Sequence, residues 1–230
     1  MKIKSFLENF ISLLYPEICV ICGEPLIENE KFFCFACFFK LPKTNYHLNS
    51  ENQAIDRFSG KVSIVKASSY LYYNKGGIAQ KLVAEIKYRG NQHLGLWIGS
   101  YLANEMLSSG FFQGINCIIP VPLHVSKEKK RGFNQSEKIA EGISQITKIP
   151  IEKSIVYREK ANISQTGKGI FDRWKNTQLI FNLKNKNLLK EKHILLIDDV
   201  LTTGSTLEAV AQSLIKIQDI KISILTLAIT

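Results

Sequence analysis

The sequence has no long hydrophobic run. None of its segments approaches the roughly 20 consecutive apolar residues that a membrane-spanning helix needs. It also lacks the two common phosphate-binding motifs, because no GxGxxG follows a predicted strand and neither GxxxxGKS nor GxxxxGKT occurs. These absences argue against a membrane-spanning protein, a dinucleotide-binding Rossmann protein and a P-loop nucleotide-hydrolysing protein.

Acidic residues are scarce relative to basic ones. The chain has 230 residues, of which 20 are Asp or Glu and 30 are Lys or Arg, giving a formal charge of +10 at pH 7. This excess indicates polyanionic partners. Charge alone does not choose among DNA, RNA, phosphorylated metabolites and membrane surfaces, and a basic solvated face without a ligand stays open as an interpretation.

The first 15 residues do not read as a signal peptide, because Glu8 and Asn9 interrupt the apolar segment and no small-residue cleavage site follows. Their apolar side chains recur at helical spacing. The positions are Phe6, Leu7, Phe10, Ile11 and Leu14. The pattern predicts a short amphipathic helix that docks on the chain's own core, and contact with a membrane surface or a partner is the alternative.

Four of the five cysteines form two CxxC pairs, Cys19 with Cys22 and Cys34 with Cys37. This spacing is typical of a zinc site with four thiolate ligands, which leaves no open position for catalysis and therefore indicates a structural metal. Reduced buried cysteines and two disulfides are the alternatives, although the absence of a secretory signal disfavours disulfides. Cys117 stands alone in an apolar segment and is interpreted as a core residue.

The composition divides the chain into three parts. Residues 1–45 are predicted to form the N-terminal helix and a zinc ribbon, residues 46–61 a polar linker, and residues 62–230 the main domain. In the main domain, predicted strands alternate with predicted helices, which favours a parallel α/β sheet flanked by helices. The predicted strands lie in 62–73, 115–119, 154–157, 178–181, 194–197 and 220–229, and the helices in 78–88, 94–107, 137–147 and the segment after 206.

The segment 193–206 carries the main candidate site. A continuous apolar strand leads into Asp198 and Asp199, and a loop rich in hydroxyls follows before the next helix. Free backbone N–H groups at the start of a helix suit a phosphate, and carboxylates accept hydrogen bonds from sugar hydroxyls. The pattern therefore predicts a sugar phosphate ligand, held by Asp198, Asp199, Thr202, Thr203, Gly204, Ser205 and Thr206.

Other candidate residues follow predicted strands or helices. Pro122, Leu123 and His124 form a stiff loop after a strand and are expected to face the same crevice as the acidic pair. Cations nearby suit an anion, although solvated charge and ordinary helix-end partners are the alternatives. These cations are Lys87, Lys127, Lys129, Lys130 and Arg131.

The segment 158–176 has no periodicity and is long for a compact domain, which indicates an active-site lid or, alternatively, disorder without a function. Its notable residues are Arg158, Gln165, Lys168, Arg173 and Trp174.

Six motifs together resemble a known family. The segment 194–207 is similar to the 5-phosphoribosyl 1-diphosphate (PRPP) signature of type I phosphoribosyltransferases, and the whole chain resembles the ComF (ComFC) competence family. Lys127 and Lys129 stand where that family often has arginine, and Lys168 where leucine is usual. The matching segments are the four cysteines of the CxxC pairs, 87–90, 120–124, 131–135, Gln165 with Arg173 and Asn176, and 198–206.

The resemblance implies a type I phosphoribosyltransferase-like domain that follows a small N-terminal zinc ribbon. By the resemblance, Asp198 and Asp199 bind the ribose hydroxyls and residues 202–206 hold the 5-phosphate. It also implies Mg²⁺ with PRPP and a diphosphate near residues 122–124, with Lys87 and Arg131 as candidate cations and Arg158, Gln165 and Arg173 in a lid.

The function implied by the resemblance is DNA uptake during natural transformation. A ComF-type protein is expected to bind PRPP and single-stranded DNA, with Lys127, Lys129 and Lys130 as nucleic-acid candidates. A competence helicase is an expected partner, and the expected location is the cytoplasm, peripheral to the uptake machinery of the inner membrane. The alternatives are an active phosphoribosyltransferase with an unknown amine or base as acceptor, and a PRPP sensor.

Overall fold

The central sheet has four parallel strands. The computed structural model describes residues 16–158 and 181–230. In these ranges the strand order is β1-β6-β5-β2, and a separate two-stranded sheet pairs β3 with β4. The strands are β1 Lys66–Tyr72, β2 Cys117–Pro120, β3 Val156–Arg158, β4 Phe181–Leu183, β5 His193–Leu201 and β6 Lys221–Ile229. The predicted parallel α/β fold is confirmed.

Helices connect the strands and cover both faces of the sheet. The α-helices are α1 Phe35–Phe39, α2 Gln53–Asp56, α3 Ile78–Tyr88, α4 Gln92–Met106, α5 Val125–Arg131, α6 Gln135–Thr147 and α7 Ser205–Leu214. Short 3-10 helices span Tyr46–Leu48, Leu107–Ser109 and Lys186–Leu189. None of these helices is long and apolar enough to cross a membrane.

The apolar run in β5 serves two hydrophobic cores, because successive strand residues point to opposite faces. Leu195 and Ile197 belong to the core beneath α3, α4 and α6, whereas Ile194 and Leu196 belong to the core beneath α7. All four residues are 0% exposed. A strand that is covered on both faces has no polar alternation, which explains its sequence pattern.

Close packing of α4 on α6 depends on two glycines. A Cβ atom on Gly99 would overlap the carbonyl oxygen of Ile139, and one on Gly142 would overlap the carbonyl oxygen of Leu96. The helix backbones therefore touch here, which fixes the start of α6 relative to the sheet.

Three local features differ from the sequence-based expectation. Residues 156–158 pair antiparallel with β4 and not with the central sheet. The basic run before residue 132, for which no helix was predicted, forms α5. Strand β5 continues through Asp198 and Asp199 to Leu201, so the acidic pair lies within the strand and not after it.

Residues 46–61, interpreted as a linker, pack against the main domain in this structure. Asn52 caps α2 with its side-chain oxygen, and its Nδ2 donates to the carbonyl oxygens of Asn49 and Ala67 at 2.8 and 3.0 Å. Ala54 and Phe58 are 0% and 1% exposed. The domain boundaries drawn from the sequence stay a prediction.

A buried histidine predicts a loss of stability in mild acid. The imidazole Nε2 of His193 lies 2.8 Å from Ser223 Oγ, and burial, together with the charges of Lys66 and Lys221, lowers the pKa of His193. Because the folded-state pKa lies below the unfolded value of about 6.5, the unfolded chain takes up the proton first as the pH falls. We expect the contribution of His193 to the free energy of unfolding to decrease below about pH 6.5.

Urea unfolding at a series of pH values checks this prediction. The His193→Gln variant should show a shallower decline of stability with falling pH than the wild type. His47, whose pKa is also lowered by burial, accounts for part of the remaining decline. An unchanged pH dependence in His193→Gln would contradict the assignment.

Candidate functional site

The carboxyl ends of the four parallel strands meet at one edge of the sheet, and the candidate site lies there. After β5, residues 202–204 form a short loop, and α7 begins at Ser205. Thr202, Thr203 and Ser205 are exposed. The first backbone N–H groups of a helix have no intrahelical acceptor, and here, among the described residues, Thr203 Oγ1 accepts only from the Ser205 N–H, at 3.4 Å. The loop therefore combines the remaining N–H groups, hydroxyls and a positive helix end.

Gly204 holds the loop in its conformation. Its φ angle is +81°, in the left-handed region that favours glycine. A Cβ atom here would lie 3.2 Å from Cε1 of Phe58, whose ring is buried beneath the loop. Phe58 comes from the segment interpreted as a linker, so this segment supports the loop from below.

Replacement of Gly204 by alanine tests this support. We expect Gly204→Ala to lower the free energy of unfolding by about 1–2 kcal/mol for the left-handed backbone, with a further loss from contact with Phe58. Gly60→Ala is the matched control, because Gly60 has a φ angle of +72° and open space around the added Cβ. Chemical denaturation of both variants separates the two costs, and equal losses would show that Phe58 does not constrain the loop.

Asp198 is held by two hydrogen bonds. Ser136 Oγ, at the start of α6, and the backbone N–H of Asp199 both donate to Asp198 Oδ1 at 2.9 Å. Burial, together with the neighbouring charge of Asp199, raises the pKa of Asp198 to about 7. This carboxyl group therefore takes up a proton near neutral pH. Asn134 is the residue that caps α6.

Asp199 lies deeper than the sequence suggested. The pair was expected to face an open crevice, but Asp199 is only 6% exposed because it packs beneath Lys87. The Lys87 ammonium contacts Asp199 Oδ1 at 2.8 Å. Asp199 Oδ2 has no hydrogen-bond partner among the described residues. A buried oxygen of this kind normally has a partner, so it is available to a ligand that reaches it.

The loop after β2 is fixed by its neighbours. Pro120 is still paired with Ile197, so the ladder continues into the first proline before the loop begins. Asn134 Nδ2 then donates to the carbonyl oxygen of Val121 at 3.0 Å, which ties the loop to the start of α6. Residues 122–124, the predicted diphosphate loop, are half-buried, and His124 caps α5 with its side chain.

The basic residues near this loop differ in their surroundings. Lys127, Lys129 and Lys130 project from α5 and are exposed. Arg131 is half-buried, and its Nη1 donates to Gln135 Oε1 at 2.9 Å. Its guanidinium also lies 5.4 Å from the centroid of the Tyr88 ring. Lys87 contacts the acidic pair, whereas no described contact links the three exposed lysines to it.

Part of the predicted site lies outside the described residues. This applies to the N-terminal amphipathic helix and to Gln165, Lys168, Arg173 and Trp174. Arg158 is described and ends β3, where its guanidinium lies 5.9 Å from the centroid of the Phe181 ring.

The four cysteines of the two CxxC pairs converge on one point. Their sulfur atoms all lie within 4.8 Å of one another, and the Sγ atoms of Cys22 and Cys34 are 3.7 Å apart. Zn–S bonds of about 2.3 Å in a tetrahedron place the sulfurs roughly 3.8 Å apart, so the cluster fits zinc. Free cysteines are found at all four positions, and no disulfide joins them.

Backbone N–H groups prepare one of these thiols for metal binding. Burial by itself raises the pKa of Cys19, but backbone N–H groups of Cys22, Cys34 and Ile21 donate to its sulfur and bring the pKa down to about 6. A thiolate is the form that binds a metal. The turn therefore favours the ionised ligand before any metal arrives.

The ribbon packs on α4 through aromatic rings. Phe33 meets Trp97 edge to face at 5.1 Å, and Phe38 meets Tyr101 in the same way. Lys43 adds a polar contact between the ribbon and α4, because its ammonium pairs with Glu105 of that helix at 2.7 Å. Most ribbon aromatics thus form a miniature core, while Phe35 and Phe39 are exposed. Lys43 carried no signal in the sequence.

The fold and the site define an α/β protein with an exposed, hydroxyl-rich loop at a helix start and a four-cysteine ribbon. The chain belongs to the phosphoribosyl transferase domain family, whose model matches residues 93–229.

Similar proteins bear competence names. Competence protein F of Haemophilus influenzae is 38% identical over 101 residues, a match that covers 44% of each chain. The chain thus spans less than half the length of that relative. Competence protein ComFC of Bacillus subtilis is 23% identical over 86% of this chain and 89% of its own length. DNA utilization protein YhgH of Escherichia coli is 25% identical over 86% and 84%. These relatives confirm the resemblance to the ComF family.

Among solved structures, adenine phosphoribosyltransferase from Leishmania donovani is 12% identical and has a TM-score of 0.42, covering 73% of this chain and 86% of that one.

Proposed function

We propose that this protein is a ComF-type protein of DNA uptake in natural transformation, binding PRPP at the carboxyl edge of the sheet and single-stranded DNA on its basic surface. The names of its relatives support the role in DNA uptake. The observation that carries the PRPP site is the acidic pair of β5 placed directly before an exposed hydroxyl loop at a helix start. A cytoplasmic position, peripheral to the uptake machinery, and a helicase partner belong to the same proposal.

The chemistry of PRPP suits this arrangement. Asp198 and Asp199 would accept hydrogen bonds from the ribose hydroxyls, and residues 202–206 would hold the 5-phosphate with hydroxyls and backbone N–H groups. Lys87 and Arg131 would contact the diphosphate beside residues 122–124. Mg²⁺, when bound, neutralises diphosphate charge and keeps most of its oxygen ligands from the substrate and water.

Zinc belongs to the proposal as a structural ion. Cys19, Cys22, Cys34 and Cys37 would hold it, and four thiolates leave no coordination position for a substrate. Because the ribbon packs on Trp97 and Tyr101, the metal would fix one side of the main domain. We assign it no chemical step.

Titration calorimetry with PRPP and Mg²⁺ tests the sugar phosphate site. The wild type should bind PRPP, and ribose 5-phosphate should bind more weakly because it lacks the diphosphate. Thr203→Val removes one loop hydroxyl and should weaken both ligands. The absence of binding by either ligand at millimolar concentration would refute the PRPP site.

Salt dependence tests the DNA surface. Each phosphate contact to single-stranded DNA contributes about −0.7 to the slope of log affinity against log salt. Replacing Lys127, Lys129 and Lys130 by glutamine should therefore make that slope shallower by about 2. The matched control replaces the exposed Lys186, Lys190 and Lys216, which changes the net charge equally. Equal effects of the two triple variants would remove α5 from the DNA surface.

A second candidate function is an active phosphoribosyltransferase. The match of residues 93–229 to the phosphoribosyl transferase domain family favours it, and the raised pKa of Asp198 is compatible with proton transfer at this site. Diphosphate release from PRPP in the presence of nucleobases or ammonia would measure this activity. If no acceptor in such a panel releases diphosphate, the binding role is favoured.

A further inference from the structure

Tyr88, the last residue of α3, carries an aromatic ring that the fold leaves open. The residue is 76% exposed although tyrosine is large and mostly apolar. Arg131 contacts the ring through its guanidinium, 5.4 Å from the ring centroid. An arginine over one face of an aromatic ring makes a favourable cation–π contact and leaves the opposite face free for another planar group.

Two chains of contact place this pair beside the acidic residues of β5. Lys87, adjacent to Tyr88, contacts Asp199 at 2.8 Å. Arg131 donates to Gln135 at 2.9 Å, and the next residue, Ser136, donates to Asp198 at 2.9 Å. Tyr88 is thus one residue from Lys87, which contacts Asp199, and Arg131 is one hydrogen bond and one residue from Ser136, which contacts Asp198. These contacts connect the pair to the residues that hold the candidate ribose site.

The supports of this pair are rigid. Gln135 and Ser136 are 3% and 0% exposed and belong to the first turn of α6. Asn134 caps the same turn. A side chain that is already fixed by buried partners loses little conformational entropy when a ligand binds. The contact of Arg131 with the Tyr88 ring therefore adds little to the entropic cost of binding.

We propose that the open face of Tyr88 is a subsite for a planar heteroaromatic base, stacked on the face opposite Arg131. The inference rests on the proposed function, since the ribose of the same ligand would reach the acidic pair. Base stacking on an aromatic side chain is tolerant of base identity, because every base has a π face. Such a base belongs either to a free nucleotide or nucleobase or to one unit of a single strand, and the chemistry of recognition is the same.

Calorimetry with AMP and ribose 5-phosphate isolates the base, because the two probes differ by adenine alone. Loss of one base–aromatic stack costs about 1–3 kcal/mol, so Tyr88→Ala should weaken AMP binding about 5–150-fold. Ribose 5-phosphate affinity should stay unchanged. Tyr88→Phe keeps the ring and should bind AMP like the wild type. Phe39→Ala removes a ring of similar exposure from the ribbon and should leave AMP affinity unchanged.

A ten-residue deoxyadenosine oligonucleotide and its abasic counterpart distinguish the two sources. Selective loss of oligonucleotide binding in Tyr88→Ala assigns the base to a single strand, and selective loss of AMP binding assigns it to a free nucleotide.

The subsite is overturned if Tyr88→Ala changes neither ligand, if it weakens AMP and ribose 5-phosphate equally, or if the wild type binds none of these probes. Binding of PRPP to the wild type is scored separately, so a failed subsite is distinguishable from a failed PRPP site.

Discussion

A chain carrying Cys34→Ser is expected to lose its zinc and to unfold residues 16–41. Serine supplies no thiolate, and loss of even an outer-shell partner lowers metal affinity by about 10–100-fold, so loss of a direct ligand should exceed 100-fold. Ile21 and Phe33 of the ribbon also belong to the hydrophobic core of the main domain. Exposure of Ile21 and Phe33 alone would cost about 3–6 kcal/mol, which corresponds to a midpoint of thermal unfolding lower by roughly 6–24 °C.

Metal analysis after gel filtration and thermal unfolding followed by tryptophan fluorescence measure these effects. Trp97 reports directly on the ribbon because Phe33 packs against it. Cys117→Ala is the control, since Cys117 is buried in β2 away from the cluster and should retain one zinc per chain. Stoichiometric zinc of wild-type affinity in Cys34→Ser would contradict the four-ligand assignment.

Helix α3 and strands β5 and β6 follow from local sequence patterns. The apolar period from Ile78 to Tyr88 reproduces the bounds of α3, because one face of this helix is buried along its whole length. Strand β6 begins one residue from its predicted start because the apolar run itself defines the buried segment. These elements are predictable where the residues that determine burial are also neighbours in sequence.

The sequence-based prediction of the fold was wrong at a strand whose partner is distant in sequence and at a helix that lacks an apolar stripe. Residues 156–158 have the composition of a strand, but their partner is residues 181–183, and their antiparallel direction is not encoded in their own spacing. The segment of α5 has charged residues at most positions and no apolar stripe, which made it resemble a loop. Its cap by His124 and the left-handed Gly132 at its end explain the helix in retrospect.

In the candidate site, too, some residues follow from local sequence patterns and others depend on contacts between distant parts of the chain. The acidic pair and the hydroxyl loop are contiguous, so the sequence placed them at a strand end before a helix. Ser136 and Phe58 reach the site from other parts of the chain, and no spacing rule connects them with β5. Lys87 was named as a cation for the diphosphate, but its contact with Asp199 depends on how α3 crosses the sheet.

The Asp199→Asn variant is expected to lose both ligand affinity and stability. A hydrogen bond to a charged group contributes about 1.5–3 kcal/mol, so PRPP affinity should fall about 10–150-fold if Asp199 contacts the ribose. The free energy of unfolding should fall by about 1–3 kcal/mol, because the Lys87 ammonium would lose its charged partner. The Lys87 side chain is only 19% exposed, so water replaces that partner poorly.

A double-mutant cycle with Lys87→Met separates the two effects by urea unfolding and PRPP calorimetry. If the ion pair explains the stability loss, Asp199→Asn should cost less in the Lys87→Met background than in the wild type. Its effect on PRPP affinity should persist there, because the unpartnered Oδ2 is the atom assigned to the ribose. Additive stability losses would show that the 2.8 Å contact contributes nothing. Unchanged PRPP affinity in both backgrounds would show that Asp199 serves the fold and not the ligand.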